Sequence, residues 1–237
     1  MRTISKHQKR MSAPRSYPVK RKEGAYVVKA EGPYPDHESL PLAVLLRDVL
    51  EYVDSMDEAT QVMEEGDVLV NGRKRRNPRS NAGFMDVISF PGIDEYYRVL
   101  VDEEGFVLKP VGEEESGKKL ARIDDKTTLD GGVTQLNLHD GNNIEVEEEF
   151  GTKGSVLVTL PDLEIEEGVE FEEGNLAYII GGKHVGETAE IVSIDIQPGS
   201  QANTVRLESG EGEFQTVEDN VYMMGEDEPI VEVGVDE

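Results

Sequence analysis

Five cations crowd one short stretch of this chain: Arg73, Lys74, Arg75, Arg76 and Arg79 fall within seven residues, and no Asp or Glu occurs from Gly72 to Met85. The chain as a whole carries 50 acids against 24 Lys and Arg. Guanidinium groups hold phosphate oxygens through paired N–H donors in a fixed fork, so such a cluster suits a polyanion. A solvated charge run is the ordinary alternative for a short basic stretch, and the acidic background weighs against it here. A second concentration lies at the start, where residues 1–30 hold nine Lys or Arg and one acid, a balance of +8 that leaves −34 on the other 207. Lys6, His7, Lys9, Arg10, Arg15, Lys20, Arg21 and Lys22 are interleaved with Pro14, Pro18 and Tyr17. Without a sustained apolar face, residues 1–30 are expected to be an extended arm with no core of its own. Such an arm orders in an RNA groove, with one base or ribose stacked on an aromatic ring such as that of Tyr17. A disordered tail is the plain alternative. A third set, Gly182, Lys183, His184 and Gly186, is expected to form a glycine-bearing turn with a positive tip.

No catalytic constellation accompanies these cations. Zero cysteine removes disulfides, thiolate metal sites and cysteine nucleophiles. His139, beside Asp140-Gly141, lacks a nucleophile or second carboxylate in a recognisable arrangement and is expected to flank a turn. His184 follows Lys183 where a phosphate-binding loop requires Ser or Thr. No catalytic residue, metal ligand, cofactor or small-molecule substrate is expected. The longest apolar runs fall far below a membrane span, and the basic start has no apolar segment behind it, so an intracellular, cytoplasmic protein is expected.

The elements that must position the central cluster lie just before it. Leu42, Leu45, Leu46, Val49, Leu50 and Val53 follow the spacing of one helix face, with Pro41 near the first helical position and Arg47 on the same segment. Ser55-Met56-Asp57-Glu58 has the form of a capping box, opening a second helix with Ala59, Val62 and Met63 on one side and Gly66 as its stop. Val68 to Val70 predicts a strand, Asn71-Gly72 a type I′ turn that projects the basic side chains, and Asp86 to Phe90 a further strand. From Tyr97 onward the helical signal gives way to short apolar runs at 98–101, 106–108, 120–123, 135–138, 144–146 and 156–160, broken by turns at Asp102 to Gly105, Asp130 to Gly132 and Asp140-Gly141. Further strands are expected at 204–208 and 214–217. Residues 225–237 carry six acids and no base, which predicts a flexible solvated tail, with Ile230, Val231, Val233 and Val235 leaving room for a partner contact.

With 37% hydrophobic residues and no tryptophan over 237 residues, several small modules are expected rather than one large core. Net charge −26 would by itself argue against nucleic-acid binding. The acids are spread along the chain rather than gathered in a tail, a pattern that molar salt rewards by shrinking the Debye length to ~3 Å. A salt-adapted protein is expected; an ordinary acidic protein that binds basic partners is the alternative.

The sequence also resembles known families. Helix, helix and EEG-DVLVNG-RKRRNP, with a later GFMDVIS, is similar to the S-four domain or alpha-L motif, whose helices and hairpin grip structured RNA. HQKRMSAPRSYPVKRKEGAYVVKAEGPYPDHESLPLAVLLRDVL resembles the start of the archaeal and eukaryotic S-four-e family of small-subunit ribosomal proteins, which begin with a similar HxKRxxAPxSxPxKRK block. GNLAYIIGGKHVGETAEIVSIDI, from Gly174 to Ile196, is similar to a KOW motif. The resemblance implies an α+β, multi-module chain: a basic extended N-terminal arm (1–39), an alpha-L RNA-binding module (40–95), an all-beta middle domain (96–170), a C-terminal KOW SH3-like barrel (171–224) and an acidic tail (225–237). It implies a non-enzymatic structural constituent of the small ribosomal subunit in a halophilic archaeon. Its partners would be small-subunit ribosomal RNA and neighbouring ribosomal proteins, contacted through the cations above and Asn71. The rivals are an RNA-modifying enzyme carrying an alpha-L module, disfavoured because residues 91–237 show only strands and turns, and a KOW transcription-elongation factor.

Overall fold

Short runs in which apolar and polar residues alternate dictate short strands, and only two segments carry helical spacing. The computed structural model describes residues 7–129, 131–199, 201–210 and 212–233. Lys6, Asp130 and Val235 lie outside them. The chain divides into two units, one running through Leu100 and resuming over Glu104–Gly117, the other formed by Val101–Glu103 and the chain from Lys118 onward.

In the first unit, β1 (His7–Lys9) pairs antiparallel with β2 (Tyr26–Val28), and β3 (Ser39–Pro41) leads into the helices. The first helix is one α-turn, α1 (Leu42–Val44), continued by a π-turn over Leu45–Val49. Leu50 N–H donates to the Leu45 carbonyl at 2.9 Å, and Glu51 has a positive φ of 53°. The helix expected to reach Val53 therefore ends at Val49. Leu42 to Leu46 are all fully buried, whereas Val49 and Leu50 are only half-buried, because the widened turn rotates the expected stripe off the core. The second helix, α2 (Met56–Glu65), keeps its expected start and stop. Ser55 Oγ accepts from Glu58 N–H at 3.2 Å, Glu58 Oε2 accepts from Asp54 N–H at 2.8 Å, and Gly66 closes it at φ 84°. The carboxylate thus reaches one residue beyond the donor of a standard capping box.

Strands β4 (Leu69–Val70) and β5 (Arg73–Lys74) form the expected hairpin, followed by β6 (Asn81–Gly83), β7 (Val87–Phe90), β8 (Glu95–Asp102), β9 (Gly105–Pro110) and one helical turn, α3 (Glu113–Ser116). Five of these strands make one sheet in the order β5-β4-β7-β8-β9, while β6 pairs with β3. The pairing runs from Val87 opposite Arg98 to Phe90 opposite Glu95, so the sheet continues through the boundary expected between residues 95 and 96. The expectation of strands and turns alone beyond residue 90 also misses α3, a single turn with no apolar spacing to announce it.

The segment expected to be an extended arm is folded. Ala13, Tyr17, Val19, Val27 and Ala30 are buried within this unit, and Phe106 N–H donates to the Ser16 carbonyl at 3.3 Å. Five buried residues scattered among cations have no period to detect, which is why no apolar face was expected.

The second unit holds two antiparallel five-stranded sheets. One comprises β10 (Lys118–Thr128), β11 (Thr134–Leu138), β12 (Asn143–Val146), β13 (Ser155–Thr159) and β14 (Ile165–Val169) in the order β12-β11-β10-β13-β14. The other comprises β15 (Leu176–Ile179), β16 (Thr188–Asp195), β17 (Thr204–Ser209), β18 (Gly212–Val217) and β19 (Val221–Gly225) in the order β18-β17-β16-β15-β19. Ala189 and Ile191 alternate with exposed neighbours along β16, as do Val205 and Leu207 along β17, and these four join Ile179, Val221 and Met223 in one apolar cluster. The described part of the segment after β19, residues 226–233, is held against the unit. Ile230 N–H donates to the Met224 carbonyl at 2.8 Å, and Val231 and Val233 are buried. They alternate with exposed Glu232.

Candidate nucleic-acid interface

A type I′ turn twists with its strands and requires positive φ at both central positions. Asn71 and Gly72 supply it, at 52° and 71°, and set Val70 opposite Arg73 and Leu69 opposite Lys74. The turn is anchored from beneath. Asn71 Nδ2 donates to Asp86 Oδ1 at 2.7 Å, and Asn71 Oδ1 accepts from Val87 N–H at 2.9 Å. Buried Asp86 also accepts from Tyr34 O–H at 2.8 Å and from Gly83 N–H at 2.8 Å. One carboxylate thus joins the hairpin turn, the β6 segment and residue 34. Asn71, expected to face RNA, instead spends its amide on this internal frame.

On that frame Arg73, Lys74, Arg75 and Arg76 follow one another and are all exposed. Arg79 is different: its guanidinium meets Glu31 Oε2 at 2.9 Å and donates through Nε to the Lys29 carbonyl at 3.2 Å. The loop between also completes the first helix, since Leu42 and Ala43 N–H donate to the carbonyls of Ser80 and Pro78 at 2.8 and 2.9 Å. Those donors lack helical partners and Pro41 offers no side-chain cap. Arg47 is half-buried and paired with its neighbour Asp48 at 2.6 Å. The hairpin therefore brings four of the expected cations together, while Arg79 and Arg47 are engaged within the protein.

In the N-terminal segment, Lys9, Arg15, Lys20 and Lys22 are exposed, with Lys20 3.7 Å from Glu23. Arg10 is turned inward, with Nη1 donating to the carbonyls of Lys20 and Glu23. Arg21 donates to the carbonyls of Pro14 and Met11 at 2.8 and 3.4 Å. Tyr17 corrects the expectation most sharply: it is 2% exposed, so it cannot stack on a base, and burial together with the Asp36 charge pushes its hydroxyl pKa up. The ring that does face solvent is Tyr26, 57% exposed on β2 with His7 edge-on at 4.8 Å between centroids. Its outward place in an alternating strand was the available signal.

In the second unit the loop between β15 and β16 carries Gly182 and Gly186 at φ 95° and 92°, the backbone that the glycine spacing predicts. A Cβ on Gly186 would lie 3.2 Å from the Asp102 Cα. Lys183 is exposed at the tip. His184 is stacked on Phe214 with centroids 4.1 Å apart, and its Nδ1 lies 2.9 Å from Glu187 Oε1. His139 accepts through Nδ1 from Arg122 N–H at 3.2 Å and stands edge-on to Tyr222, a framework role consistent with a turn-flanking residue. Behind it lies a charge pair outside the sequence reading. Lys119 Nζ meets Asp140 Oδ2 at 2.7 Å, both buried. Burial alone would raise the Asp140 carboxyl, but the Lys119 ammonium, then His139 and the donors of Lys119 and Asn142, hold it down to about 2.

These features define a mostly β protein of several small sheets with little helix, whose exposed cations cluster on a rigid hairpin. Comparison with known proteins gives the family. A domain described as RS4NT matches residues 2–33, and the description Ribosomal family S4e matches residues 93–165. The chain is 43% identical over 229 residues to the small ribosomal subunit protein eS4 of Methanothermobacter thermautotrophicus, covering 95% of each chain. It is 43% identical over 226 residues to that of Halobacterium salinarum, covering 94% of this chain and 97% of the other. It also resembles the crystal structure of the 30S ribosomal protein S4e from Thermoplasma acidophilum, with a TM-score of 0.68 and 33% identity, over 79% of this chain and 95% of that one. The chain belongs to the S4e family of ribosomal proteins.

Proposed function

We propose that this protein is a structural constituent of the small ribosomal subunit that binds and scaffolds small-subunit ribosomal RNA beside neighbouring ribosomal proteins, without catalysing a reaction. The observation that carries this is the relationship, over 95% of the chain, to proteins named small ribosomal subunit protein eS4. It favours this reading over an RNA-modifying enzyme or an elongation factor. The helix pair and hairpin act as an alpha-L module, with Arg73, Lys74, Arg75 and Arg76 on phosphates. The β15–β16 loop acts as the tip of a KOW barrel, offering Lys183. The protein works in the cytoplasm, within the ribosome, and the net charge of −26 supports adaptation to high salt.

Because counterion release is weak at molar salt, affinity there rests on directional hydrogen bonds, stacking and shape. Co-sedimentation tests the function: the protein should travel with small subunits in molar potassium chloride. Recovery only as free protein with an RNA-modifying activity would overturn the proposal. Salt adaptation has its own test, since dilution to ~0.1 M salt lengthens the Debye length to ~10 Å and restores carboxylate repulsion. The isolated protein should melt lower on dilution; a flat or rising melting temperature would argue for an ordinary acidic protein.

A further inference from the structure

The β1–β2 ribbon holds an aromatic ring in solvent among cations. Side chains alternate across a strand, and here Val27 turns inward while His7, Lys9 and Tyr26 face out. Lys9 lies directly opposite Tyr26 in the register, and His7 stands edge-on to the Tyr26 ring at 74° between planes. Glu23 is the one acid among residues 1–30, and it lies 3.7 Å from Lys20. The ribbon is fixed from behind: Arg10 N–H donates to the Ala25 carbonyl at 3.0 Å, and its guanidinium donates to the carbonyls of Lys20 and Glu23. The strand bearing Tyr26 is thus ordered before any ligand arrives, so binding there costs little further ordering.

We propose that Tyr26 is a stacking platform for one RNA base, with Lys9 on an adjoining phosphate. This deepens the RNA-binding function above and rests on it. A nucleotide brings a π-face and an anionic phosphate in one unit, and an aromatic face bordered by an ammonium matches both. An apolar protein partner would use the ring but leave Lys9 without a counterpart.

The absence of tryptophan makes the test direct. Tyr26→Trp in the full chain places a single indole at the platform, and its emission should be quenched when a transcript of archaeal small-subunit ribosomal RNA binds. Tyr26→Ala should weaken affinity for that transcript about tenfold. The salt dependence should stay unchanged, because no charge is removed. Tyr26→Phe keeps the ring and should bind as the parent does. Parent-like affinity of Tyr26→Ala together with unaltered indole emission on RNA binding would overturn the platform, leaving the ring to water or to a protein neighbour. That result would leave the RNA-binding function standing. A parent chain that bound no ribosomal RNA would instead bring down both, so the two failures are read apart.

Discussion

Replacing Asp86 by Asn tests whether the basic hairpin is held by a buried carboxylate. Asp86 is 1% exposed and accepts from Tyr34 O–H and Asn71 Nδ2 through Oδ1, and from Gly83 N–H through Oδ2. Asparagine keeps the shape but has only one acceptor oxygen. Whichever way the amide turns, its NH2 faces a donor: Gly83 N–H in one orientation, the Tyr34 and Asn71 groups in the other. Losing charge assistance costs about 1 kcal/mol per bond, and an orphaned buried donor costs ~1–3 kcal/mol, so the sum is roughly 3–5 kcal/mol. For a unit of this size that is on the order of 10–20 °C in melting temperature. Denaturant unfolding gives the energy, and amide hydrogen exchange gives its location. Exchange should quicken at Asn71, Arg75 and Val87, whose N–H groups bond within this frame. Tyr34→Phe, which removes one donor and orphans none, should cost less, about 1.5–3 kcal/mol. A loss below about 1 kcal/mol for Asp86→Asn, or faster exchange confined to β10–β14, would refute the reasoning.

Three further outcomes are expected. The folded Asp140 carboxyl, at about 2, lies below its ordinary 3.8. Ionisation of Asp140, held down by Lys119 together with His139 and Asn142, therefore contributes ~2 kcal/mol that is fully present above pH ~4 and lost as pH falls through ~2. Lys119→Met should reverse the slope: burial then raises the carboxyl, and the stability deficit of the variant shrinks on acidification, as melts at pH 2–7 would show. Deleting residues 1–30 should destabilise the first unit as well as weaken RNA binding, because Tyr17 and Val27 leave its core; circular dichroism showing an unchanged melt would contradict that packing. Changing Arg73, Arg75 and Arg76 to Lys should reduce RNA affinity in molar salt, where bidentate bonds outweigh screened charge, and parent-like binding there would make the hairpin a passive basic surface.

The parts of the fold legible in the sequence are those set by local rules. The Asn71-Gly72 turn, the Ser55 cap and the Gly66 stop each follow from a backbone requirement that few residues meet. The alternating strand β17, expected at 204–208, follows from a single buried face. The early end of the first helix was not legible. Its apolar positions satisfy helical spacing through Val53, and only packing decides that Leu42 to Leu46 are buried all round. Nor could the sequence show where the hairpin sheet stops, because β8 and β9 join it by ladder pairing that has no local signature.

The site was legible as a region and not as a set of side chains, and the reason lies in what arginine does in a chain poor in apolar residues. Irregular segments leave carbonyls without ladder partners, and a guanidinium offers five donors on a long apolar stem. Arg10, Arg21 and Arg79 are spent on the carbonyls of Lys20, Pro14 and Lys29, and buried Arg98 reaches the Glu115 carbonyl at 3.2 Å. Counting charge along the sequence assigns the first three to RNA. Their internal partners do not weaken the case for an interface, because Arg10 and Arg21 tie down the segment that carries exposed Lys9, Lys20 and Lys22, and Arg79 ties the chain that follows Arg73 to Arg76 to Lys29 and Glu31. A cation that holds the loop and a cation that meets the phosphate are indistinguishable by type and spacing. They separate only when the partner of each guanidinium is known.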